Sequence, residues 1–154
     1  MHKTCRGHDL RKGRISIENQ IYLVTAVTYK RLEFFGNMYL GREVVLEMMQ
    51  AARTGAADTL AFVVMPDHIH WLLVLGPQYS LSRVVSGIKS YSAIRINRLL
   101  SREGRPVWQR GFHDHALRRE DDIHEVARYI IANPLRAGLV RRVGDYSLWD
   151  AVWL

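Results

Sequence analysis

The chain is predicted to be an α+β protein, a ferredoxin-like β-α-β-β-α-β antiparallel sheet with helices on one face and a further helix near the C-terminus. Three observations carry that expectation. Residues 20–28 are dense in β-branched side chains, as a half-buried strand requires. Two apolar runs, 59–65 and 68–75, are separated only by the turn pair Pro66-Asp67, so they should double back as a hairpin. Apolar residues at helical spacing over 38–53 and 80–101 supply the two crossovers.

Taken in order, residues 1–14 scatter Arg6, Arg11, Lys12 and Arg14 among polar residues and read as a basic N-terminal arm. After the first strand, Gly36-Asn37 marks a turn. In the first helix, Leu40, Val44, Val45, Met48 and Ala52 repeat at helical spacing, with its two later methionines, Met48 and Met49, expected in the core. Gly55 closes it. The hairpin strands are too uniformly apolar for an open sheet face, which implies covering helices. The second helix should bury Leu81, Val84, Val85, Ile88, Tyr91 and Leu99, leaving Arg83, Lys89, Arg95, Arg98 and Arg102 outside. A loop through 101–106 leads to a short fourth strand, 112–117. Asp121 or Asp122 caps the next helix, with Glu125 placed as in a capping box. Pro134 ends that helix and Gly138 a further turn. The aromatic tail 146–153 is expected to dock on the body.

Composition narrows the class. At 154 residues the chain is long enough for one domain, 1–154, with a real core, and 48% apolar residues argue for a soluble globular protein. No apolar run approaches the roughly 20 residues that span a bilayer, and the N-terminus lacks a secretion signal. A single cysteine, Cys5, excludes an internal disulfide. The expected location is the cytoplasm, with no membrane partner. Lys plus Arg outnumber Asp plus Glu by 22 to 15, a net charge of +7 with pI about 9.9. That balance favours a nucleic-acid partner without separating DNA from RNA.

Two elements carry chemistry. In the strand 68–75, His68 and His70 project to the same face, and paired imidazoles suit a divalent metal. In the helix after Asp122, Ile123, Val126, Ala127 and Ile130 form the buried stripe, while Tyr129 and Asn133 lie one turn apart on its border. His68, His70 and the Asn133 amide could then hold a metal, with the Tyr129 hydroxyl beside it as nucleophile. Plainer readings exist for each: half-buried histidines on an amphipathic strand, an interfacial tyrosine, and an asparagine that caps a helix. Asp67 suits a hydrogen bond to a ligand histidine or simply the turn. His113, His115 and His124 have no partner at ligand spacing. Trp71 is expected in the core, whereas Trp108 could stack an unpaired base.

Beyond His68-Ile69-His70, two longer stretches are distinctive: Val107-Trp108-Gln109-Arg110-Gly111-Phe112-His113-Asp114-His115-Ala116-Leu117-Arg118, and Tyr129-Ile130-Ile131-Ala132-Asn133-Pro134-Leu135-Arg136-Ala137-Gly138-Leu139-Val140. With these residues the chain resembles the REP-associated tyrosine transposases, relatives of the single-tyrosine, IS200-like transposases of the HUH endonuclease superfamily, over about residues 10 to 150. HUH denotes histidine, bulky apolar residue, histidine. The resemblance implies a ferredoxin-like HUH domain in which the helix bearing Tyr129 is catalytic. It implies manganese or magnesium held by His68, His70 and Asn133, with nitrogen ligands favouring manganese. Tyr129 would attack single-stranded DNA to form a 5′-phosphotyrosine link and free a 3′-hydroxyl, without a nucleotide cofactor. The implied partner is DNA carrying the hairpins of repetitive extragenic palindromes, in a prokaryotic cytoplasm at the nucleoid, with the protein a monomer or homodimer. Candidate DNA contacts are Arg110, Arg118, Arg119 and Arg136 near the site, Arg11, Lys12 and Arg14 of the arm, and Lys89 and Arg95 on the second helix. Two other functions compete: a structure-specific nucleic-acid-binding protein without cleavage activity, and a metal hydrolase of a small phosphodiester in which water replaces Tyr129.

Overall fold

The computed structural model describes residues 19–118 and 121–153. Arg11, Lys12 and Arg14 of the expected arm, and Arg119, lie outside the described residues. The strands are β1 (Ile21–Val27), β2 (Ala57–Met65), β3 (His68–Leu75), β4 (His113–Ala116) and β5 (Trp149–Ala151). They form one sheet in the order β4-β1-β3-β2-β5, every pairing antiparallel. Its first four strands have the ferredoxin-like order, and β5 extends the β2 edge. The helices are α1 (Met38–Arg53), α2 (Leu81–Leu99), α3 (Ile123–Ile131) and the short α4 (Asn133–Arg136). No described helix is long and apolar enough to cross a membrane.

Caps set the helix starts. The Asn37 side chain accepts from the Tyr39 N–H at 2.9 Å, Ser80 Oγ from the Arg83 N–H at 3.2 Å, and Asp122 Oδ1 from the N–H groups of His124 and Glu125. Gly55, at φ +74°, takes the left-handed conformation that ends α1.

The side-chain alternation of the sheet divides the interior in two. One face of β1 and β3, with Val24, Ala26, Ile69, Trp71 and Leu73, packs beneath α1 and α2. The other face, with Leu72 of β3 and Ala61, Val63 and Met65 of β2, is covered by Ala127, Ile130 and Ile131 of α3. Both crossover helices therefore lie on one side and the C-terminal helix on the other.

The inner stripe of α2 differs from expectation. Tyr91 and Leu99 are exposed, while Ser92, Ile96 and Asn97 are buried. Polar side chains can occupy these positions because each has a partner: Ser92 Oγ accepts from Trp108 Nε1 at 3.1 Å, and Asn97 Nδ2 donates to the Arg105 carbonyl at 2.8 Å. Trp108 is thus a core residue against Phe35, not a base-stacking platform, its ring centroid 5.3 Å from that of Phe35. In α1, Met48 is buried but Met49 faces solvent.

The tail docks through backbone pairing as well as aromatic contact. The Val64 N–H donates to the Leu148 carbonyl at 2.8 Å, and the Tyr146 hydroxyl donates to the Val64 carbonyl at 2.5 Å. Gly41 lets Leu148 seat against α1, since a Cβ there would lie 2.5 Å from Leu148 Cδ1. Tyr146→Phe should cost about 1 kcal/mol in urea denaturation, the net value of one hydrogen bond. Burial pushes the Tyr146 phenol above its ordinary pKa, so folding favours the protonated form. That contribution is complete below the unfolded value, about pH 10, and is lost as pH rises through the folded value. The gap between parent and Phe variant should therefore close in alkaline denaturation series.

Candidate metal and nucleophile site

Strand β3 lies at the centre of the sheet, between β1 and β2. In register, His70 faces Thr25 and Val63 across its two neighbours, and His68 faces Val27 and Met65. Because side chains alternate, both imidazoles share the face of Leu72, beneath which α3 packs. Their ring centroids are 5.0 Å apart, edge to face.

Each ring is fixed through Nδ1. His68 Nδ1 lies 2.7 Å from Asp67 Oδ1, and His70 Nδ1 lies 2.8 Å from Thr25 Oγ1. An ionised carboxylate only accepts, so His68 Nδ1 must carry a proton and Nε2 keeps its lone pair. With Nδ1 engaged in both rings, Nε2 is the atom each histidine has left for a ligand. Burial, with the nearby positive charges of His68 and Arg136, pushes the His70 pKa down to about 4. The imidazole is accordingly neutral at ordinary pH, the form that ligates a metal.

The support of His68 runs further than the turn. Arg31 Nη1 donates to Asp67 Oδ2 at 3.1 Å. Burial pushes the Asp67 carboxyl up, but hydrogen bonds and charge from His68 and Arg31 outweigh it and hold the group below its ordinary value. Lys30 and Arg31 both adopt left-handed backbone, at φ 52° and 53°, a conformation that costs about 1–2 kcal/mol per non-glycine residue. Contacts to the turn offset that cost. Thr28, fully buried, reaches the Asp67 carbonyl through its N–H at 2.9 Å and its hydroxyl at 3.0 Å, and the Phe35 N–H donates to the Pro66 carbonyl at 3.0 Å. Thr25 and Arg31 carried no signal in the sequence, because their meeting with the histidines depends on strand register and on the fold of the 28–37 segment.

The tyrosine is presented differently. Ala127, Ile130 and Ile131 anchor α3 to the sheet, which leaves Tyr129 63% exposed. The expected continuous turn from Tyr129 to Asn133 is broken: α3 ends at Ile131 and Asn133 opens α4, with Pro134 next to it. Arg136 supplies the link instead. Its guanidinium lies 3.9 Å from the Tyr129 ring centroid, and it donates to the Tyr129 carbonyl at 2.6 Å and to Asn133 Oδ1 at 2.7 Å. The same charge reaches His70. One guanidinium therefore connects the tyrosine and the amide.

Among the described residues, no group of three or more His, Cys, Asp or Glu side chains could hold a metal. A cation here would depend on the two Nε2 atoms and the Asn133 amide oxygen, which has a second lone pair besides the one Arg136 uses. Asn133 Nδ2 is buried and has no hydrogen-bond partner among the described residues, but as a donor it bears on no cation. Two imidazoles and an amide oxygen form an open donor set that fits manganese or magnesium.

The remaining basic residues divide. Arg110 and Arg118 are exposed beside β4. Lys89 Nζ donates to the carbonyls of Gln109 and Gly111 at 2.7 and 2.6 Å, and Arg95 pairs with Glu47 at 3.1 Å and Glu43 at 3.7 Å. His113, His115 and His124 are exposed; His113 stands opposite Thr25, the partner of His70, and His115 and His124 lie 3.8 Å from Asp121 and Asp122 respectively.

The model of the family described as "Transposase IS200 like" matches residues 16–133, a span that contains His68, His70, Tyr129 and Asn133. A Haemophilus influenzae protein provisionally named a REP-associated tyrosine transposase is 27% identical over 138 residues, covering 82% of this chain and 76% of its own length. The REP-associated tyrosine transposase of Escherichia coli K12 is 32% identical over 89 residues, 56% of this chain and 49% of its own. A solved REP-associated tyrosine transposase bound to a REP hairpin superposes with TM-score 0.70 at 22% identity, over 88% of this chain and 79% of that one.

Proposed function

Because the chain belongs to the IS200-like transposase family, enzymes that cleave DNA and transfer its strands, we propose that it is a metal-dependent single-strand endonuclease and strand transferase. The proposed substrate is DNA bearing REP-type hairpins, as in the solved relative bound to one. The observation that carries the reading is the pair of same-face imidazoles on β3, each engaged through Nδ1 so that Nε2 is left for a ligand.

In this reading Tyr129 is the nucleophile. Its phenolic oxygen bonds to phosphorus as the bond to the 3′-oxygen breaks, the phenol proton passes to solvent, and the departing oxygen takes up a proton to become a 3′-hydroxyl. The product is a 5′-phosphotyrosine, and attack of a 3′-hydroxyl on that link runs the step backwards and completes strand transfer. No nucleotide cofactor is required, since the phosphodiester energy is kept in the covalent link. A divalent ion held by His68, His70 and Asn133 would neutralise the phosphate oxygen and stabilise charge in the transition state. Arg136 holds the tyrosine ring against one face of its guanidinium, which fixes the direction in which the ring is presented.

The proposed role of the carboxylate behind His68 has its own consequence. Asp67→Ala should lower manganese affinity by about 10- to 100-fold, the usual effect of losing an outer partner of a ligand histidine. Calorimetry on the DNA-free protein checks this, and unchanged affinity would reduce Asp67 to a turn residue. The function itself is tested by incubating the protein with labelled hairpin DNA and manganese, then denaturing it. A protein-linked strand is expected. Binding without any such adduct would favour the alternative, a structure-specific DNA-binding protein without cleavage.

A further inference from the structure

The face of the sheet that carries His68 and His70 presents two further imidazoles. His113 and His115 are two residues apart on β4, and register sets His113 opposite Thr25 and His115 opposite Leu23. Thr25 stands in turn opposite His70, whose Nδ1 its hydroxyl engages. One row therefore crosses the sheet as His70, Thr25, His113, with all three side chains on one face. Neighbouring strands lie roughly 4.8 Å apart, so the backbones at the two ends of that row are about 10 Å apart. A phosphodiester on an ion held by His70 can occupy that gap. The strand order places the row's two flanks apart: α3 packs chiefly on β2, against Ala61, Val63 and Met65, whereas β4 is the opposite edge of the sheet. Thr25 is half-buried and His113 exposed, so the β4 side of the face is open to a substrate.

The geometry points to His113 as the group that protonates the departing 3′-oxygen, and that takes the proton back when a strand is rejoined. The inference rests on the function proposed above and supplies the proton donor for its leaving group. Phosphoryl transfer sets the entering and leaving oxygens roughly in line on opposite sides of phosphorus. With Tyr129 entering from α3, the 3′-oxygen departs towards β4. Three of the four imidazoles on this face are otherwise engaged. His68 and His70 are held through Nδ1 by Asp67 and Thr25 and keep Nε2 for an ion, and His115 lies 3.8 Å from Asp121. No described residue bonds to the ring of His113. Imidazole is the side chain that changes charge near neutral pH, whereas the guanidiniums of Arg110 and Arg118, which flank β4, keep their protons. In the step, the bond from Tyr129 Oη to phosphorus forms and the bond to the 3′-oxygen breaks, its electron pair staying on that oxygen. The His113 imidazolium gives its N–H proton to the oxygen and becomes neutral. In the reverse direction the neutral ring accepts the proton of the attacking 3′-hydroxyl.

The test compares hairpin DNA with the same hairpin in which sulfur replaces the scissile 3′-oxygen, at the position the parent protein cuts. A thiol ionises near pH 8.5 (about the value for cysteine), so a thiolate leaves without a proton donor where an alkoxide needs one. At saturating DNA and manganese, His113→Ala should form the covalent adduct about 10²- to 10⁴-fold more slowly than the parent on the oxygen substrate. On the sulfur substrate it should react at nearly the parental rate, a rescue that a merely structural role would not show. Manganese affinity, measured by calorimetry without DNA, should match the parent. His115→Ala, which removes the neighbouring imidazole of the same face, should react with both substrates at nearly the parental rate. A parental rate for His113→Ala on the oxygen substrate, an equal loss on both substrates, an equal loss in His115→Ala, or a large fall in manganese affinity would each overturn the assignment. A parent that forms no adduct with either substrate would remove the proposed function, and the role of His113 with it. A parent that forms the adduct while His113→Ala matches it throughout would remove the role of His113 alone.

Discussion

Tyr129→Phe will abolish the covalent protein–DNA adduct while hairpin affinity stays near that of the parent. The substitution removes one oxygen and keeps the ring, so the contact with the Arg136 guanidinium and the packing of α3 persist. Tyr129 is largely exposed, and loss of its hydroxyl should leave stability within about 0.5 kcal/mol of the parent. Removing a sole nucleophile elsewhere costs on the order of 10⁶-fold in turnover, so the adduct should drop below detection in a denaturing gel. A Phe variant that cuts at the parental rate would transfer the nucleophile role to water and favour a hydrolase.

The second large effect is expected at the imidazole pair. His70→Ala should weaken manganese binding by more than about 100-fold, beyond what loss of an outer partner produces, and should stop cutting at any practical metal concentration. Thr25 would lose its partner too, so a melting curve should accompany the measurement to separate unfolding from lost ligation. Hairpin binding should survive, since the substitution leaves the net positive charge of the chain unchanged. Cutting that persists in chelator-treated protein, with or without His70, would refute a metal role.

Much of the architecture was legible because it depends on local pattern. The bounds of α1 and β3 agree with expectation, since apolar periodicity of 3.6 and an apolar run after a Pro-Asp turn are each decisive over a few residues. The order β-α-β-β-α-β followed, and with it the pairing that puts His68 and His70 side by side. What stayed hidden depends on the meeting of distant segments. Ser92 and Asn97 are inside α2 and Tyr91 and Leu99 outside, because Trp108 and Arg105 provide hydrogen bonds that no periodicity reveals. Arg31 meets Asp67 from 36 residues away, through two left-handed residues that no turn signal announces. The link between Tyr129 and Asn133 was expected from helical spacing; the helix stops between them, and Arg136 carries the connection instead.

The division of the interior has a mechanical outcome. The imidazoles ride on the middle strand of the sheet, clamped from both edges and from behind by the larger apolar mass. The tyrosine rides on a short amphipathic rod seated on the lesser mass. Asn133 follows that rod and is tied to Tyr129 through Arg136, so the amide belongs to the tyrosine's mount and the imidazoles to the sheet. Under the proposed reaction the severed end would hang from the lesser mount while the two imidazoles keep to the greater one.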